Sequence, residues 1–152
     1  MDDETYGKGQ QAILKSDEPV PSLRICKSDL DVATDSRLGQ DSLFVQSVLT
    51  GRTGSAKLEL YIDRDDLNNL IGQIEGLLGG QRSDLHWTAL DHRIELEMRV
   101  ESDHIGPPVF CRAVLSEPFP DFGDKIWSEK YECAFYSHLS WVGSFLGVLQ
   151  GF

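Results

Sequence analysis

Between Ala56 and Leu78 the hydrophobic period changes from two residues to about 3.6. A chain that does this sets a half-buried strand directly before an amphipathic helix. Ala56, Leu58, Leu60 and Ile62 alternate with Lys57, Glu59 and Tyr61, so one strand face is buried and the other is wet. Leu67, Leu70, Ile71, Ile74, Leu77 and Leu78 then fall on one helical stripe. Asp63 is placed to cap the helix, because its carboxylate can accept from the free amides of the first turn. Asp65 and Asp66 add negative charge at the positive end of the helix dipole. Gly79-Gly80 ends it.

Other segments repeat these periods. Strands are expected from Ser22 to about Val32 and from Ser42 to Leu49, with Gly51-Arg52-Thr53-Gly54 as a tight connection into the strand at Ala56. His86-Trp87-Thr88-Ala89-Leu90 reads as a link. Ile94, Leu96, Met98 and Val100 alternate with Arg93, Glu95, Glu97, Arg99 and Glu101, giving a strand with one charged face. Gly106-Pro107-Pro108 closes a hairpin into Val109–Leu115, and the last strand runs from Trp127 to Tyr136. A second helix is expected over 139–149, capped by Ser137 or Ser140. Gly72, Gly76 and Gly80 recur as Gly143, Gly147 and Gly151 at one constant offset, which suggests two related strand–helix units. Mid-helix glycines cost about 1 kcal/mol each against alanine, and close helix packing would explain them.

The expected fold is therefore α+β, a mainly antiparallel sheet of about six strands with two helices packed on one face, in the order βββαβββα. Hairpins without crossover helices join the central strands, so the strand–helix order does not require a parallel sheet. Residues 1–21 are polar and carry Gly7, Gly9, Pro19 and Pro21, and read as a mobile N-terminal arm. Residues 22–152 read as a single domain.

Charge narrows the partners. The 152 residues include 25 acidic and 14 basic side chains, a net charge of −11. Nucleic acid and anionic membranes need clustered Lys and Arg, so neither is expected as a partner. No run approaches the ~18 apolar residues of a membrane span, and the acidic start is unlike a secretory signal. Cys26, Cys111 and Cys133 are odd in number and show no CxxC spacing, as for reduced, buried thiols in a cytoplasmic protein.

Tests for chemistry find no catalytic residue, cofactor site or metal site, and the chain is not expected to be an enzyme. Gly51–Lys57 lacks the phosphate-loop spacing and leads into a strand. No GxSxG elbow is present. Among His86, His92, His104 and His138 no pair has helical or strand ligand spacing. Glu95, Glu97 and Glu101 share one strand face, with Asp103 at its end, and are the expected contact surface for a basic protein partner. Phe119 and Phe122, in a Pro/Gly/Asp loop, are candidate apolar anchors for the same partner.

The segments DSLFVQSVL, KLELYIDRDDLNNLIGQIEGLL, WTALDHRIELEMRV and YECAFYSHLSWVGSFLGVL, spread over residues 41–152, carry a resemblance. Their order and apolar positions resemble small bacterial immunity proteins of the wall-associated polymorphic-toxin type and their relatives. The resemblance implies binding and occlusion of a basic toxin domain in the producing cell's cytoplasm. It implies no catalytic residues, and the N-terminal segment and the glycine pairs lie outside it. The competing expectation is a small-ligand-binding protein or hydrolase-like enzyme with a pocket between sheet and helices, near His86, His92 and Cys133. A third is self-association through an exposed sheet edge. The oligomeric state is not set by the sequence.

Overall fold

The computed structural model describes residues 6–18, 20–28, 42–89, 93–118 and 128–152. β1 (Tyr6–Lys15), β2 (Ser22–Ser28), β3 (Ser42–Thr50) and β4 (Ser55–Asp63) form an antiparallel meander in that spatial order, followed by α1 (Arg64–Leu78). β5 (Asp84–Ala89), β6 (Ile94–Val100), β7 (Val109–Pro118) and β8 (Ser128–Ser137) form a second meander, followed by α2 (Leu139–Gln150). The molecule is α+β, and its two halves repeat the same order of four strands and a helix.

Two four-stranded sheets thus replace the single sheet of about six strands expected, for two reasons. The segment read as an arm contributes β1, which pairs with β2 through Ala12–Ile25 and Leu14–Leu23. Ala12 and Leu14 are fully buried between exposed Ile13 and Lys15, a short alternation that polar neighbours obscure in the sequence. The segment read as a link is β5, which turns Leu85, Trp87 and Ala89 inward. The sheets remain separate because α1 carries the chain from β4 to β5.

The helices bind the halves together. Leu67, Leu70, Ile74 and Leu77 of α1 and Val142, Phe145, Leu146 and Leu149 of α2 join the inward faces of both sheets in one core. α1 lies against β5 of the second sheet, α2 against β1 of the first, and the helices touch each other. Trp87 Nε1 of β5 donates to the Asp66 carbonyl of α1 at 2.9 Å. The Phe152 side chain is buried, and its carbonyl accepts from Lys27 at 3.2 Å and Arg64 at 3.1 Å, both in the first half. Tyr131 Oη of β8 donates to the Gly54 carbonyl at 2.7 Å.

The helix ends differ from expectation. Asp63 is the N-cap of α1 in extended conformation, but its side chain makes no capping bond. Its Oδ1 accepts from Ser42 Oγ at 3.1 Å, because the antiparallel register sets these two residues opposite each other. The N-cap of α2 is His138, not either serine. Three of the four helical glycines mark no close approach: a Cβ at Gly72 or Gly147 would meet no atom within 4 Å, and one at Gly143 would reach Leu78 Cδ1 only at 4.0 Å; at buried Gly76 a Cβ would stand 3.1 Å from Arg82 Cδ, a side chain of the turn after α1 and not the other helix or a sheet.

Candidate functional site

Strand alternation sends Leu85, Trp87, Leu96, Met98, Cys111 and Ala113 into the core. The intervening residues therefore cover the outer face of the second sheet. Across that face runs a line of charged groups with one member on each strand. His86 Nε2 of β5 lies 2.6 Å from Glu95 Oε1 of β6, Glu95 Oε2 lies 3.9 Å from Arg112 of β7, and Arg112 Nη2 donates to Glu132 of β8 at 3.1 Å. The His86 hydrogen bond holds the Glu95 carboxyl below the ordinary carboxylate value; burial opposes this and Arg112 reinforces it. The Arg112 guanidinium is pushed up, chiefly by its bond to Glu132.

A second cluster occupies the end of the face towards the β6–β7 turn. Arg99 Nε donates to Glu101 at 2.8 Å, and Arg99 Nη1 lies 3.9 Å from Glu97. The guanidinium also stands 4.5 Å above the Phe110 ring, a cation–π contact. Tyr136 Oη donates to Glu101 at 2.7 Å, and with Arg99 it holds that carboxyl below its usual value. The Tyr136 ring stacks on His104 at 3.6 Å and meets Phe110 edge-on at 5.6 Å. His104 Nδ1 is 2.8 Å from the Pro107 carbonyl, which braces the turn. Gly106 has φ +110°, a conformation suited to glycine. This turn presents Ile105 at 97% exposure. Its side chain stands almost wholly in water, next in the chain to the His104 ring that stacks on Tyr136.

The structure brings together Glu95, Glu97 and Glu101 on this face, and places Asp103 in the exposed turn beyond them. Phe119 and Phe122 lie outside the described residues. Sequence reasoning missed His86, Arg112, Glu132, Phe110 and Tyr136 as neighbours of the acidic row, because the register of four strands decides who meets whom. It also missed Ile105, although an isoleucine beside Gly106-Pro107 is a readable sign of an apolar residue in a turn.

The expected pocket near His86, His92 and Cys133 does not form from the two described members. His86 is on the outer face and Cys133 faces the core, so the sheet itself separates them. His92 lies outside the described residues. Between the first sheet and the helices lies a cavity of about 10 Å³, lined by Ile25, Val45, Leu70, Trp87, Leu149 and other apolar groups. That is about the space of one water, with no polar wall to hold it. Burial pushes the Cys111 thiol up to about 12, so this sulfur stays protonated and packs as a small apolar group. Among the described residues no three His, Cys, Asp or Glu side chains converge as a metal site, and no helix is long and apolar enough to cross a membrane.

No family model, no curated protein and no solved structure matches the chain.

Proposed function

We propose that the protein is a non-enzymatic protein-binding module of immunity type, which neutralises a basic toxin domain by occlusion in the cytoplasm. The observation that carries this reading is the exposed Ile105, held beside the Glu97–Arg99–Glu101–Tyr136 cluster at one end of a charged sheet face. Ile105 supplies an apolar anchor that closure of the interface would desolvate. The carboxylates supply attraction and orientation for a basic partner. Bonds to neighbouring cations already hold those side chains, so less rotamer entropy is lost on binding. Arg99 and Arg112 temper the acidity, and restrict a matching partner to one that sets its cations opposite Glu95, Glu97, Glu101 and Glu132. The resemblance to immunity proteins supplies the class of partner.

The test is co-expression with a panel of basic toxin domains of the wall-associated polymorphic type. Wild-type protein is expected to restore growth, and the Ile105→Ser/Glu97→Lys variant to lose protection while melting like wild type. Full protection by that variant, or none by wild type, contradicts the proposal.

A further inference from the structure

A pocket of about 440 Å³ opens where edge strand β4 meets the ends of β7 and β8. It lies at the seam between the halves and adjoins the partner face proposed above, where the Lys130 charge helps hold the Glu95 carboxyl low. Ser55 and Lys57 line it from β4, and Ser116 and Lys130 from β7 and β8, where these last two are register partners. Leu58, Leu115 and Tyr131 form its apolar wall. The Tyr131 ring is fixed there, because its hydroxyl donates to the Gly54 carbonyl at 2.7 Å.

The charge of this lining is opposite to that of the molecule. The chain carries −11, yet the described residues lining the pocket include two lysines and no carboxylate. The ammonium groups and serine hydroxyls offer donors from both flanks, and Leu58, Leu115 and Tyr131 offer surface that can pack. The volume lies within the usual range of small-molecule sites, roughly 300–1,000 Å³. We propose that this pocket binds a small organic anion, a carboxylate or phosphate carried on an apolar body, with Lys57 and Lys130 holding the anionic head and the Leu58–Leu115–Tyr131 wall the body. Both lysines are exposed, so the contact is screened by salt and weakens as ionic strength rises.

The test is an amide chemical-shift titration of the full chain with phenyl phosphate, benzoate and uncharged benzyl alcohol. Saturable shifts confined to 55–58, 115–116 and 130–131 are expected with at least one anion and not with the alcohol, and the stronger anion identifies the head group. Lys57→Gln/Lys130→Gln is expected to weaken binding about tenfold, the size of two exposed charge contacts. Lys57→Arg/Lys130→Arg retains binding. Equal binding of benzyl alcohol, an unchanged affinity in the glutamine variant, or no saturable shift with either anion overturns the proposal.

Discussion

Glu95 lies between His86 and Arg112, and its carboxyl is held below the ordinary value of about 4.3, chiefly by the His86 hydrogen bond. A carboxyl held low in the folded state stabilises the fold above its unfolded pKa. That contribution is lost as pH falls through the folded pKa. Glu95→Gln is therefore expected to cost about 0.5 kcal/mol at neutral pH, the scale of a surface pair, and close to nothing at about pH 3. Urea melts at the two pH values measure it; an equal loss at both would remove the electrostatic account. Gly51 sets a steric limit between the halves. A Cβ there would stand 2.5 Å from Tyr131 Oη and 3.0 Å from Cys133 Sγ. Gly51→Ala is expected to cost about 1–3 kcal/mol by overpacking, and measurably less in a Tyr131→Phe background, where the nearest oxygen is gone. A double-mutant cycle with no coupling would show that the contact relaxes freely. At this scale the sequence identified the acidic row, since alternation fixes which residues share a face. It placed Arg99 beside that row but did not identify His86 and Arg112, since these come from other strands.

Helices α1 and α2 carry glycines with room to spare. Gly72 and Gly147 are exposed, and an added methyl would meet nothing within 4 Å. Gly72→Ala and Gly147→Ala are each expected to raise stability by about 0.5–1 kcal/mol, through helix propensity and a less flexible unfolded chain. Thermal melts check this, and a destabilised variant would reveal a contact at these positions. Element legibility followed the length of the periodic pattern. The strand and helix of Ala56–Leu78 were readable because many residues repeat two clean periods. β1 and β5 were not, because the readable alternation is short in each: Ala12 and Leu14 among polar neighbours in one, Leu85, Trp87 and Ala89 of a six-residue strand in the other. The recurring glycines pointed to the repeated strand–helix unit, yet the reason first attached to them, close packing, does not hold at Gly72 or Gly147.

The whole molecule is held by exchange between its halves: α1 on β5, α2 on β1, and Phe152 bound by Lys27 and Arg64. One shared core follows, and with it a single cooperative unfolding transition. Trp87 and Trp141 of the second half each meet the first, at Asp66 and Lys15, so fluorescence reports the contact between the halves while far-ultraviolet circular dichroism reports both. The two signals are expected to trace one urea transition, and separate midpoints would mean that the halves unfold independently. Sequence alone missed this organisation because it depends on which sheet each helix covers, a long-range choice that local periods do not encode. The same arrangement buries the inner faces of both sheets and leaves the outer face of the second, the surface proposed for a partner, in contact with solvent. The most direct measurement of that proposed role is the association rate, as a function of ionic strength, with a toxin domain against which the wild-type protein protects. It should be measured for wild type, for Glu95→Lys/Glu97→Lys, and for Glu59→Lys on the first sheet as control. The double reversal is expected to slow association about tenfold or more and to flatten its salt dependence, while the control stays close to wild type. Equal rates and equal salt slopes for all three proteins would contradict a partner surface on the second sheet.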